Sequence, residues 1–233
     1  MLSLKLIGQK IVDLWHHLFG SEISSLLPAI ALSGLTIAGF SLWGFVEITD
    51  EVLDQETEYI DRLILQAIRQ IHTPFLDRLM VGITGLGDPL FLTAVGMSMV
   101  FILLFQGRKI GAIAIGVALG GVALLNHLLK SVFGRHRPEL WERIVDVSFH
   151  SFPSGHAMIS LVVYGIIAYW FAVHFRPWQW LIISAAIVLI VAIGFSRLYL
   201  GVHWPTDIVA GYAAGLVWLV ACILGWEIAR GYF

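Results

Sequence analysis

Apolar residues fall in long unbroken runs separated by short polar breaks. Six such runs cover residues 26–46, 89–105, 110–129, 155–175, 181–198 and 205–228. A helix of about 20 apolar residues crosses the ~30 Å hydrocarbon core of a bilayer, so each run is read as a transmembrane span, the second being short. Trp43, Trp178, Trp180 and Trp204 lie near run ends and, with Trp141, suit the membrane–water interface. Pro205 suits the first turn of the sixth span.

Two stretches show a different pattern. Residues 1–20 place Leu4, Ile7, Ile11, Leu14, Trp15 and Leu18 at helical spacing, which predicts an amphipathic helix on the membrane surface. They contain no continuous apolar core and no A-x-A site of a signal peptide. Residues 47–88 open with Glu47, Asp50, Glu51, Asp54, Glu56, Glu58 and Asp61, and Ile60, Leu63, Ile64, Ala67, Ile68 and Ile71 then recur at helical spacing. This predicts an amphipathic surface helix broken at Thr73-Pro74, then a second over 75–86. Both are expected to cap the bundle; a part in a lipid entrance is the alternative.

Composition agrees. Of the 233 residues, 58% are hydrophobic and 13% charged, and the mean hydropathy is +0.86. A soluble domain carries roughly 45–50% apolar and about 25% charged residues, so that class is excluded. The expected fold is all-α: a polytopic membrane protein of six spans forming one membrane-embedded domain over residues 1–233. Cys222 is the single cysteine, so no intramolecular disulfide is possible. The net charge of −2 discriminates no partner.

Six spans put both termini on one side. Lys5, Lys10, Arg108, Lys109, Arg176 and Arg230 share that side, and the acidic segment 47–88 faces the other. The positive-inside rule therefore predicts cytoplasmic termini in a cell membrane. The loop 131–154, with Arg135, His136, Arg137 and Arg143, is basic yet external, an exception that a functional charge cluster explains.

Three polar clusters between Lys130 and Asp207 carry the candidate chemistry. They are Lys130 with Arg137-Pro138; Pro153-Ser154-Gly155-His156; and Ser196-Arg197 with His203 and Asp207. All fall at the predicted extracytoplasmic face. Ionisable groups are costly within a membrane, and no structural need calls for so many at one depth. Lys130, Arg137 and Arg197 can hold the charge of a phosphate, the arginines by bidentate contact. Ser154 and Gly155 open a helix whose N–H groups can face an anion. His203 and Asp207 are one turn apart, so the carboxylate can hold one imidazole nitrogen and leave the other to attack phosphorus. His156 can then protonate the leaving oxygen and later activate water, with a phosphohistidine between the two steps.

No carboxylate cluster suited to magnesium and no H-E-x-x-H zinc spacing is present, so neither metal nor other cofactor is expected. Arg135 and His136 read as loop or head-group contacts. Asn126, one turn before Lys130, can orient it or serve a helix contact. His127 and His150 read as structural or solvated, and Ser196 as a supporting hydrogen-bonder.

The order and spacing K-x6-R-P, P-S-G-H and S-R-x5-H-x3-D resemble the signature of the type-2 phosphatidic acid phosphatase family. That family is related in fold to vanadium haloperoxidases and bacterial acid phosphatases. Every motif position is filled, over residues 130–207, and only the first 20 residues lie outside the likeness. The resemblance implies a metal-independent lipid phosphatase with a helical core bundle and His203 as nucleophile. Expected partners are the bilayer and a lipid phosphate such as phosphatidylglycerophosphate, undecaprenyl diphosphate or phosphatidate, with no nucleic acid. Rival readings are a phosphotransferase using the same residues and a non-enzymatic lipid-carrier transporter. Transporters place polar groups near the midplane, which the clustering at one face argues against.

Overall fold

The computed structural model describes residues 23–141, 145 and 150–232. The predicted surface helix over 1–20, and Arg143, lie outside them. Eight α-helices make up the described chain: α1 Ile23–Leu53, α2 Glu58–Arg69, α3 Pro74–Gly85, α4 Pro89–Phe105, α5 Lys109–Val132, α6 Gly155–His174, α7 Gln179–Tyr199 and α8 Pro205–Tyr232. A 3₁₀ turn, Arg176–Trp178, joins α6 to α7, and no strand occurs among the described residues.

Local chemistry sets the helix starts. Thr73 is extended and accepts from the Leu76 N–H at 3.2 Å, ahead of Pro74 in the first turn of α3. Asp88 does the same for α4, accepting from Leu90 N–H at 2.8 Å ahead of Pro89. Five helices are individually long and apolar enough to span a membrane, and α3 and α4, bent by 46° at Gly85–Pro89, together make a sixth candidate. The expected count of six thus holds once α3, expected on the surface, is joined to the short α4. This is a multi-pass membrane protein.

Helix α6 is central, packing on α5, α7 and α8, while α1 runs along α8. Ile115 and Val122 of α5, Met158, Val162 and Ile166 of α6, and Leu219 and Trp226 of α8 build the core. With lipid as apolar as the core, close packing is what associates these helices. A Cβ on Gly211 of α8 would lie 2.7 Å from the Ser154 carbonyl oxygen and 3.2 Å from the Ala157 Cβ. Only glycine admits this approach, and it brings the start of α6 against the start of α8, where the second and third sequence clusters sit.

Helix α2 faces the opposite way from a helix on a soluble core. Ile60, Leu63 and Ile64 of its apolar stripe are exposed, while Asp61 and Leu65 turn into the bundle. The stripe stays exposed among the described residues, and the carboxylate finds its partners inside.

Gly211→Ala is expected to cost about 1–3 kcal/mol, as overpacking does. A lower melting temperature in detergent, together with reduced activity, would show it; a protein unchanged in both would mean that α6 and α8 can move apart freely.

Candidate active site

The third cluster is built by the tight loop between α7 and α8. Gly201 turns it at φ 68°, and α8 starts at Pro205. Asp207, in the first turn, accepts from the Trp204 N–H at 2.9 Å, the reciprocal half of a capping box, and from His203 Nδ1 at 3.1 Å. Arg137 Nη1 lies 3.2 Å from His203 Nε2. An arginine only donates, so Nε2 is the unprotonated nitrogen and Nδ1 carries the proton given to Asp207. This is the tautomer a nucleophilic imidazole needs. His203 and Asp207 are fully buried. Burial, then the charges of Arg137, Arg197 and Lys130, hold the His203 imidazole well below its ordinary pKa and so neutral.

The first cluster reaches the loop from α5. Lys130, in the last turn of α5, donates to the His150 carbonyl at 3.1 Å, and Arg137 Nη1 donates to the Val202 carbonyl at 2.7 Å. The 133–138 strand of the loop is clipped to its return leg by Ser151 N–H to Arg135 O at 3.0 Å. In the second cluster, Ser154 N–H bonds the Asp207 carbonyl at 3.0 Å, tying α6 to α8. Arg197 donates from Nη1 to Thr84 of α3 at 2.7 Å. Two donors, the Ser154 hydroxyl and Arg197 Nε, are buried with no hydrogen-bond partner among the described residues. Such groups are costly unless a ligand satisfies them, and an anion would.

These residues surround one cavity of about 710 Å³, lined by Lys130, Arg137, Gly155, His156, Arg197 and His203. Asp88, Pro89, Asn126, His127 and His150 complete its rim. Of the predicted site residues, only Ser154 and Asp207 stand behind this lining, each bonded to a residue that forms it or starts α8. The arrangement offers a carboxylate-backed imidazole, a second imidazole, and three cations within one space. That set can bind a phosphoryl group and displace a substituent from it.

Of the supporting residues, Asn126 takes the second of its two expected parts, and others take parts not expected. Asn126 points its amide at Met158 Sδ, 3.7 Å away, and packs against Gly155, so it serves the α5–α6 contact. Ser196 bonds back to the Ile193 carbonyl of its own helix at 2.6 Å. Trp204 is not interfacial: it is buried and donates from Nε1 to the His136 carbonyl at 2.9 Å. Its rings pack under Arg62 and Arg135, with guanidinium carbons 5.9 and 5.4 Å from the ring. Arg135 is no loop or head-group contact. It is half-buried and bonded to Asp207 Oδ1 at 2.7 Å and to Asp61 Oδ2 at 2.8 Å. No local pattern in the sequence pointed to this role, because its partner Asp61 lies 74 residues away.

A helical bundle with a cation-ringed, two-histidine cavity at one end defines a polytopic membrane phosphohydrolase. Residues 111–229 match the PAP2 superfamily, and the chain belongs to that family. Phosphatidylglycerophosphatase B of Bacillus subtilis is 34% identical over 160 residues, covering 67% of this chain and 78% of its own length. Lipid A 4'-phosphatase of Bacteroides thetaiotaomicron is 30% identical over 174 residues, covering 67% and 72%. The crystal structure of a transmembrane PAP2-type phosphatidylglycerolphosphate phosphatase from Bacillus subtilis superposes with a TM-score of 0.68 at 30% identity, over 82% of this chain and 94% of that one. The chain is therefore a hydrolase of this family, as the motifs implied.

The neutral, buried His203 links stability to pH. Unfolding frees an imidazole of ordinary pKa, about 6.5, which binds a proton the folded state refuses. Stability should then be level above that value and fall as pH drops below it, by up to about 1.4 kcal/mol per pH unit for this one group. Melting curves in detergent from pH 8 to pH 5 test this. His203→Gln should flatten the acid slope, and an unchanged slope would mean that His203 is already protonated in the fold.

Proposed function

We propose that the protein hydrolyses a phosphomonoester or diphosphate of a membrane lipid by a two-step, metal-independent route through His203. The observation that carries this reading is the tautomer lock: Asp207 holds Nδ1–H and leaves the Nε2 lone pair toward the cavity that Lys130, Arg137 and Arg197 surround. In the first step Nε2 attacks phosphorus. The bond to the leaving oxygen breaks, its electron pair stays on that oxygen, and protonated His156 supplies the proton. In the second step water attacks the phosphohistidine while His156, now neutral, takes a water proton. The P–N bond breaks and its electrons return to Nε2, releasing phosphate. Lys130, Arg137, Arg197, the Ser154 hydroxyl and the N–H groups at Gly155 stabilise charge on the equatorial oxygens.

A lipid rather than a soluble ester is supported by where the cavity lies. Its lining includes the start of α4 and the last turns of α5, where Leu90, Leu124 and Leu128 are exposed, so a head group can enter while its tail stays in the bilayer. The relatives named as phosphatases of phosphatidylglycerophosphate and of lipid A agree with that class. For orientation, Arg108, Lys109, His174 and Arg230 group at the other end of α5, α6 and α8, about 30 Å from the site. Cations favour the cytoplasm, so the reading puts the termini there and the site near the extracytoplasmic face.

Purified protein in EDTA is expected to release phosphate from a panel of lipid phosphates that includes phosphatidylglycerophosphate, undecaprenyl diphosphate and phosphatidate. His203→Ala should abolish release, and Arg197→Ala should lower kcat/KM by about 100–1000-fold, as loss of one transition-state donor does. Substrate labelled in the transferred phosphate should leave acid-labile label on the wild type and none on His203→Ala. Full activity in His203→Ala would end the assignment. Transfer of label to an added alcohol in place of water would make the enzyme a phosphotransferase.

A further inference from the structure

The residue nearest to Asp207 besides its histidine is a positive charge, and that poses a problem for the chemistry. When His203 attacks, its ring becomes cationic, and the Asp207 carboxylate stabilises it. Arg135, 2.7 Å from Asp207 Oδ1, works against this by neutralising the carboxylate. A second carboxylate restores the balance. Asp61 Oδ2 accepts from Arg135 Nη2 at 2.8 Å, and Asp61 is itself buried, at 1% exposure. Asp61, Arg135 and Asp207 together carry one negative charge, which matches the one positive charge the imidazole gains.

The network is closed as well as balanced. The Thr206 hydroxyl donates to Asp61 Oδ2 at 2.6 Å and accepts from Arg135 Nη1 at 2.7 Å. Asp61 Oδ1 accepts from the Thr206 backbone N–H at 3.1 Å, in the first turn of α8. The Thr57 hydroxyl, just before α2, lies 3.5 Å from Arg135 Nη2. The guanidinium plane is thus held from both ends, and so is the face it shows to Asp207. Asp61 does not line the phosphate cavity.

We propose that Asp61 is a positioning residue for the reaction, acting through Arg135 to orient Asp207 and to preserve its negative charge toward His203. Resting on the assignment of His203 as nucleophile, the proposal adds helix α2, which carries none of the three sequence clusters, to the machinery. It also predicts a signature that a purely structural tie would not give. Asp61 touches no substrate, so its loss falls on kcat and leaves KM alone.

The test is kinetics on the full chain in detergent, with the lipid phosphate that the wild type hydrolyses. Asp61→Asn keeps the shape and removes the charge; kcat should fall by about 10–100-fold, as for partners that orient a working histidine, with KM within about twofold of wild type. Arg135→Lys, whose ammonium cannot bridge two carboxylates as a planar fork does, should give the same split and serves if Asp61→Asn does not fold. In a double-mutant cycle, Asp61→Asn placed on Arg135→Met should cause no further loss, because each change acts through the other. Multiplicative losses, a change confined to KM, or wild-type kcat in a folded Asp61→Asn or Arg135→Lys protein would overturn the proposal. Those outcomes leave the phosphatase reading standing, since that falls only if the wild type releases no phosphate or His203→Ala still does.

Discussion

The Asp207 carboxylate is the point on which the catalytic end of the molecule hangs. It is fully buried, and a buried charge costs several kcal/mol unless it is paired and hydrogen-bonded. Three donors from two parts of the chain meet it: the His203 ring, the Trp204 backbone and the Arg135 guanidinium. Each is placed by that need. His203 is fixed in one tautomer, the start of α8 is capped, and the loop after α5 is drawn across the top of the bundle. Removing any one donor leaves the carboxylate under-satisfied, so the requirement that stabilises the fold also sets the geometry of the His203 ring.

The cations are arranged by a related constraint. Lys130, Arg137 and Arg197 carry like charge around one cavity, which no protein would hold together for packing alone. Each is restrained by a neutral acceptor: the His150 carbonyl, the Val202 carbonyl and the Thr84 hydroxyl. Carbonyl and hydroxyl partners fix direction without cancelling charge. Arg135 of the same loop meets the carboxylates of Asp207 and Asp61, and it faces away from the cavity lining toward α2.

How much of this was legible depends on the range of each interaction. The spans were readable because hydropathy acts over 20 consecutive residues, and the three clusters were readable because their parts lie within a turn or a loop of one another. The convergence of Lys130, Arg137, His156, Arg197 and His203 on one cavity followed from placing those clusters at one membrane face. The tie between Asp61 and Arg135 was not readable, since it links positions 74 residues apart and neither has a local pattern that names the other. Trp204 was misread for a different reason: an aromatic residue near a span end has the same sequence context whether it meets lipid or packs under a loop. The bend between α3 and α4 was hidden because 89–105 reads as a short span by itself and 75–86 as a separate surface helix.

Helix α2 brings these threads together. Its apolar stripe was visible in the sequence, but the direction of burial was not, because the rule that apolar faces turn inward holds only where the solvent is water. At a bilayer, Ile60, Leu63 and Ile64 can stay outside at no cost, and the side left for the bundle is the one bearing Asp61 and Leu65. A carboxylate on that side is stable only if a cation waits for it, and the cation, Arg135, is itself held by Asp207. The face of α2 opposite its exposed apolar stripe is therefore fixed against the Asp207 carboxylate through Arg135, so this helix is a structural participant in the site.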